Sequence, residues 1–171
     1  VVFSFASDVQ SWEASDVFTN LTHVSTAGEG YNGTTGYVTV DAVFDSGTDK
    51  GTFKWTSPWD NGISDLTRIN MTGRTITLHI YVPAGLVDTT NPYGVKVYAQ
   101  NKSWQWKDMW FNITGSGWQT YSWNVSGAYN TCQWTDCNDA TEVIQIGVEI
   151  TKSNASSPDF TGTLYFDEIA Y

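Results

Sequence analysis

The sequence predicts an all-β protein, a jelly-roll β-sandwich of two antiparallel sheets, and three observations predict it. Apolar residues recur at every second position in one run after another, no stretch of a dozen residues carries a helical stripe, and turn clusters interrupt the runs at short intervals. With none of the helical crossovers that parallel strands need, the strands must pair antiparallel. At 171 residues, 40% of them hydrophobic and 15% charged, the chain is long enough to bury a core and reads as one module over residues 1–171.

Phe3 and Phe5 open the chain in strand style, and 36–44 places Val38, Val40, Ala42 and Phe44 on one face. In 74–82 the inward set is Ile76, Leu78, Ile80 and Val82, against Thr75, Thr77, His79 and Tyr81. Val95, Val97 and Ala99 turn inward and leave Lys96, Tyr98 and Gln100 on the other side. Tyr121, Trp123 and Val125 continue the pattern, then Ile144, Ile146, Val148 and Ile150 against Gln145, Gly147 and Glu149, and 163–171 closes it. The breaks fall at Asn32-Gly33, Asn61-Gly62 and Gly115-Ser116-Gly117, residue types that tight turns demand. Residues 8–12 offer at most one helical turn, and neither an internal repeat nor a linker is visible.

Composition excludes several partners. The 8 Lys+Arg against 18 Asp+Glu give a net charge of −10, and the cations are scattered singly along the sequence. Nucleic acid needs them clustered, and so does an anionic membrane surface. No apolar run approaches the ~18 residues of a bilayer span. The chain opens on Val1-Val2-Phe3, which reads as a mature or excised segment. Asn-x-Ser/Thr occurs at Asn20, Asn32, Asn70, Asn101, Asn112, Asn124 and Asn154, where chance predicts about 2 to 3. The excess points to an exported, glycosylated protein, with a plain abundance of Asn, Ser and Thr in turns as the alternative. Cys132 and Cys137, in Cys-Gln-Trp-Thr-Asp-Cys, have no nearby His to make a zinc site and read as a loop-pinning disulfide of a secreted or cell-surface chain. A monomer is expected.

Nucleophilic catalysis has little support: the two histidines, His23 and His79, accompany no Gly-x-Ser-x-Gly elbow and no zinc or phosphate motif. His23 reads as a surface residue. His79, on the outward side of its strand, stands between a plain surface position and a hydrogen-bonding place in a groove. A glycoside hydrolase needs two carboxyls flanking a cleft, about 5–9 Å apart. Glu149 and Glu168 lie on strands and Glu13, Glu29 and Glu142 in loops or at strand ends, and nothing in the sequence singles out a pair.

The 9 tryptophans carry more information. Trp55 and Trp59 lie within 53–62, and Trp104, Trp106 and Trp110 crowd into 102–110. A sugar offers one apolar C–H face and a rim of hydroxyls; a flat indole covers the face while Gln, Asn, Asp, Glu, His and Lys bond the rim. Exposed aromatics in a cation-poor chain therefore suit a neutral polysaccharide. Trp12 and Trp123 are expected in the core, Trp104 and Trp106 facing a ligand, and Trp55 and Trp59 evenly between the two. Trp110 shares an outer face with Asn112.

The order Phe3-Ser4-Phe5, Trp12, Gly30-Tyr31-Asn32-Gly33, 36–40, Leu78-His79-Ile80-Tyr81-Val82-Pro83, Val97-Tyr98-Ala99-Gln100-Asn101, Ile146-Gly147-Val148 and Leu164-Tyr165-Phe166-Asp167-Glu168-Ile169 spans nearly the whole chain. It resembles the β-sandwich carbohydrate-binding modules appended to secreted glycan hydrolases. Within them it is most similar to the mannan-binding family 27 type, with the xylan- and glucan-binding relatives near. The resemblance implies a concave face that binds one polysaccharide chain. Trp55 or Trp59 would be one stacking platform, Trp104 or Trp106 another, and His79, Tyr98, Gln100 and Glu149 would line the groove between them. It also implies a structural calcium near the paired terminal strands, with Asp167 of the closing motif as ligand. Ala6 stands where the family often carries an acidic residue, so another carboxylate, such as Asp41, would have to help complete a shell of ~6–8 oxygens. The expected function is non-catalytic binding of a neutral β-linked polysaccharide, with mannan or glucomannan favoured, that targets an attached glycoside hydrolase. A small secreted hydrolase or lyase on the same sandwich, or a structural surface domain, is the alternative.

Overall fold

The alternation resolves into two six-stranded sheets in a computed structural model that describes residues 1–47, 49–60 and 65–171, the side chains of Trp59, Asp60 and Asp65 excepted. Sheet A runs β11 (Gly117–Asn124), β8 (Thr75–Val82), β14 (Phe160–Ala170), β4 (Thr35–Phe44) and β3 (Phe18–Ala27), with β1 (Val2–Phe3) also on β14. Sheet B runs β12 (Thr131–Cys132), β10 (Trp106–Asn112), β9 (Gly94–Asn101), β13 (Val143–Thr151), β5 (Lys50–Thr56) and β2 (Trp12–Asp16). A minimal pair, β6 (Trp59–Asp60) and β7 (Asp65–Leu66), stands apart. Every described pairing is antiparallel.

The inward sets read from the sequence are the core, except that a register shift between Val143 and Gln145 puts Val143 in it in place of Ile144, which is buried outside that cluster. Val38, Val40, Ala42 and Phe44 of β4, with Ile76, Leu78, Ile80 and Val82 of β8, meet Val95, Val97 and Ala99 of β9 and Ile146, Val148 and Ile150 of β13. Trp12 and Trp123 are buried as expected. Trp12 stacks on Phe53 at 4.7 Å, and Phe53 on Phe166 at 4.5 Å, so aromatic rings bridge the sheets at one end. Each large apolar side chain so buried contributes about 1.5–3 kcal/mol. The possible helical turn at 8–12 is a bend and turn entering β2, and the only helical pieces among the described residues are two short 3-10 turns, 31–33 and 84–86.

The tryptophan-rich stretch 102–110, which shows no strand pattern in the sequence, runs into strand β10 at 106–112. Its pattern was hidden because Lys107 occupies an inward position. That lysine is fully buried, and its ammonium donates to the carbonyls of Val125 and Cys137 at 2.5 Å each, among the rings of Trp123, Tyr129 and Trp134. Burial lowers its pKa, against the charge of Asp136. Cys132 and Cys137 form the expected disulfide, and Lys107 ties the looped segment to the end of β11. Among the described residues no helix is long and apolar enough to cross a membrane.

Candidate functional site

The outward positions of sheet B converge on one groove. Register sets Trp106 opposite Gln100, Asp108 opposite Tyr98, Gln145 opposite Gln100, Glu149 opposite Lys96, and Gly147 between Tyr98 and Lys54. Two depressions lie on this face and share Lys50 and Trp106. One, of about 310 Å³, takes in Thr52, Lys54, Tyr98, Gln100, Trp104 and Gln145. The other, of about 450 Å³, takes in Lys96, Asp108, Thr131, Gln133 and Glu149.

The floor depends on a glycine. A Cβ at Gly147 would stand 2.6 Å from the Tyr98 ring and 2.8 Å from the Phe53 carbonyl, so only a bare backbone lets that ring lie flat across β13. Tyr98 then donates to Gln145 Oε1 (3.3 Å), Gln145 donates to Thr56 Oγ1 (2.7 Å), and the Trp106 ring packs on Tyr98 at 4.1 Å. Burial drives the Tyr98 pKa far up, so the ring stays a neutral donor.

Trp104 is presented by the β9–β10 turn. The Asn101 side chain accepts from the backbone N–H of Ser103 and of Gln105 and donates to Gln105 Oε1, and Trp104 takes a left-handed φ of 58°. Gln100 donates to the Trp104 carbonyl at 3.0 Å, which leaves the indole 52% exposed at the rim.

The second half of the groove is ionic. Glu149 accepts from Lys96 at 2.8 Å and from Lys50 at 3.2 Å. Burial alone would raise its pKa, but the hydrogen bond and charge of Lys96, with those of Lys50, hold it below the ordinary value. Asp108 is shifted the opposite way, raised by burial against the charge of Lys96. Asn130 donates to it at 3.4 Å.

Of the expected site residues, Tyr98, Gln100, Trp104, Trp106 and Glu149 come together here. Trp55 does not. It shares the inward parity of Phe53 on β5, and its ring packs with Phe3 (5.3 Å) and Tyr171 (6.1 Å) at the end of the core. The side chain of Trp59 lies outside the described residues. His79 is on the wrong sheet: it faces outward from β8 in sheet A, buried beneath Tyr31 at 3.5 Å, with Nδ1 2.8 Å from Thr120 Oγ1. Burial lowers its pKa, against the charge of Asp167. Residues the sequence reasoning missed are Lys50, Thr52, Lys54 and Asp108, because β5 and β10 were not recognised as strands. Lys96 and Gln145 were visible as outward neighbours of Tyr98 and Glu149.

The expected calcium ligands do not make one shell. Asp41 sits opposite Thr163 and Asp167 opposite His79, four residues apart on β14, which is about 13 Å of strand. Asp41 accepts from Asn20 and Thr163, both at 2.9 Å. Asp167 is fully buried and accepts from the Tyr31 N–H (2.8 Å), the Thr34 hydroxyl (2.6 Å) and the Glu168 N–H (2.7 Å). A Cβ at Gly30 would fall 2.6 Å from the Asp167 carboxylate, so the loop closes down on Asp167 itself. The donor set fits a hydrogen-bonded loop anchor rather than a cation held between these two aspartates. No group of three or more His, Cys, Asp or Glu suited to a metal occurs among the described residues.

A two-sheet sandwich with indoles over a polar strand floor defines the class of β-sandwich modules, and the solved structures agree on the fold. No protein-family profile matches the chain, and no curated protein matches it. The mannohexaose-bound module CBM27-1 of Caldicellulosiruptor saccharolyticus is similar over 99% of this chain and 94% of its own, at 16% identity and a TM-score of 0.64. CBM28, a carbohydrate-binding module specific for non-crystalline cellulose, matches over 95% and 87%, at 14% identity and 0.60. An exo-β-agarase matches 98% of this chain with 24% of its own length, at 12% identity and 0.59. At these identities the likeness establishes the fold alone, a two-sheet β-sandwich shared with these structures.

Proposed function

We propose that the chain binds a single chain of a neutral β-linked polysaccharide along the sheet B groove, and does so without catalysis. The observation that carries this is the exposed Trp104 beside Trp106, set over a floor of Tyr98, Gln100 and Gln145. Indole faces take the C–H face of a sugar, and the amides bond its hydroxyls. Mannan or glucomannan is the favoured ligand; in support, the similar CBM27-1 was solved with mannohexaose, and another similar module, TmCBM27 (TM-score 0.51), is described by its specific mannan recognition. By holding an attached glycoside hydrolase on the polymer, the module would raise the local substrate concentration. The disulfide and the sequon excess support an exported protein, glycosylated at the exposed Asn20, Asn32, Asn70, Asn112, Asn124 and Asn154.

The hydrolase alternative has one observation in its favour: Asp108 and Glu149 share a depression, with pKa values pushed apart. Against it, Glu149 is already bound by two lysines. Affinity electrophoresis against mannan, glucomannan, xylan and β-glucan, with reducing ends assayed in parallel, tests both readings. Retardation without new reducing ends is expected, and Trp104→Ala with Trp106→Ala should lower the affinity at least tenfold. New reducing ends that vanish in Glu149→Gln would overturn the binding-only reading.

A further inference from the structure

The opposite face of the sandwich carries an aromatic row that the groove does not use. Trp118 of β11 lies directly across from Tyr81 of β8, and Tyr81 directly across from Tyr165 of β14. Ring centroids step by 5.7 Å and 5.2 Å, and Tyr37 of β4 continues the row 5.4 Å beyond Tyr165. Tyr31, folded over from the 31–33 turn, flanks Trp118 at 6.0 Å. From this geometry we infer that the outer face of sheet A is a second contact surface for an uncharged polysaccharide, which would lie across the strands along this row.

Three features favour that occupant. The first is charge. The outward positions around the row are Thr39, Thr77, Thr120, Ser122 and Thr163, with His79 covered by Tyr31 and the carboxylates of Asp41 and Asp167 already hydrogen-bonded, and no Lys or Arg occurs at the outward positions of β4, β8, β11 or β14. An anionic ligand would find no cation here, while a neutral polyol meets a field of hydroxyls.

The second is unused bonding capacity. Tyr81, Tyr165 and Trp118 are half-buried, so each side chain keeps part of its surface in solvent. Among the described residues the hydroxyls of Tyr81 and Tyr165 and the indole N–H of Trp118 have no hydrogen-bond partner, whereas Tyr37 is bonded to Glu29 at 3.0 Å. Rings with an apolar body and a free polar tip are the chemistry of a sugar contact. The third is spacing: adjacent strands lie about 4.8 Å apart, so a chain crossing them meets one ring per strand. A second copy of this protein is the competing occupant, but no aliphatic side chain stands in the row to form the apolar centre that a self-associating face needs.

The inference does not rest on the groove, and the experiment separates the two. The full chain carrying Trp104→Ala and Trp106→Ala is run by affinity electrophoresis in gels containing mannan, glucomannan, xylan or β-glucan. Residual retardation by at least one polymer is expected, and adding Trp118→Ala should reduce it at least threefold. Should Trp118→Ala lower the melting temperature sharply, Tyr81→Phe with Tyr165→Phe removes only the two free hydroxyls and should still weaken the residual binding about twofold. Loss of all retardation in the groove variant overturns the second surface, as does residual retardation that ignores both sets of changes. Sedimentation of the protein alone gives the remaining control: a dimer that Trp118→Ala dissociates overturns the inference in favour of a second copy.

Discussion

The outer faces of the two sheets are built by the same alternation and hold opposite chemistry. Sheet B turns out Lys54, Lys96, Asp108, Glu149 and Trp106, and its side chains are tied across strands by the ion pairs of Glu149. Sheet A turns out threonines, serines and an aromatic row, and the one buried carboxylate near it, Asp167, is satisfied by backbone and hydroxyl donors. A net charge of −10 therefore says little about either surface. Folding gathers Lys50, Lys54 and Lys96 on the groove and balances them with Asp16, Asp108 and Glu149, while sheet A's row carries no cation. What looked like a uniformly cation-poor chain has one zwitterionic face and one face without cations, whose carboxylates, Asp41 and Glu29, are bonded to neighbouring side chains.

The sharpest way to break this comparison is at the groove floor. Gly147→Ala should overpack Tyr98 against Phe53, at a cost of about 2 kcal/mol and roughly 4–8 °C in melting temperature. It should also lower groove affinity more than any sheet A change, read by thermal melts and affinity electrophoresis. An unaltered melt would show that Tyr98 does not need the bare backbone.

On the other sheet, Asp167→Asn leaves at least one of three donors facing an amide N–H₂ and should cost about 1.5–3 kcal/mol, with the groove affinity unchanged. In the wild type, EDTA and added calcium should leave the melting temperature within about 1 °C, since Asp41 and Asp167 are apart and each is already bonded. A clear rise with calcium would place an oxygen shell elsewhere on the chain.

Alkaline pH probes both faces together. Burial, with Glu29 second, pushes the Tyr37 hydroxyl of sheet A up to about 12, and burial does the same to Tyr93 and Tyr121 and drives Tyr98 of sheet B further. Because these folded pKa values lie above the unfolded value near 10, their contribution is whole below about pH 10 and is lost as pH climbs through the raised values. Lys107 works in the opposite sense, its depressed pKa favouring the fold as pH rises towards 10.5, but it is one group against four. Urea midpoints should therefore fall between pH 10 and 11.5, with the slope reduced in Tyr98→Phe and in Tyr37→Phe. A flat profile would mean that these rings open to solvent.

The smallest effect concerns Lys54, which lines the groove and makes no ion pair among the described residues. Lys54→Gln should change affinity for a neutral polymer less than threefold and leave it insensitive to salt. A tenfold loss that tracks ionic strength would identify an acidic sugar as the ligand instead.

Much of this was readable from single strands. A period of two separates inward from outward residues without knowledge of any neighbour, so the core sets of β4, β8, β9 and β13 and the outward Tyr98, Gln100 and Glu149 were visible. Trp55 could have been assigned too, since it shares parity with Phe53, had Gly51 and Lys54 not interrupted the apolar pattern of 50–56. Lys107 hid β10 in the same way, because a buried cation breaks the apolar rhythm and is stabilised only by carbonyls and rings remote in sequence.

The sequence by itself determined the fold class, the faces of most strands, the disulfide partners and the surplus of tryptophan. Which outward face belongs with which was decided only in three dimensions. His79 and Tyr98 look alike in sequence, each a polar position mid-strand between apolar neighbours. They part because β8 pairs with β14 and β11 while β9 pairs with β13 and β10. Side-chain alternation is a local property of an extended backbone, but strand pairing is set by long-range burial and hydrogen bonding, and it is pairing that gathers a groove.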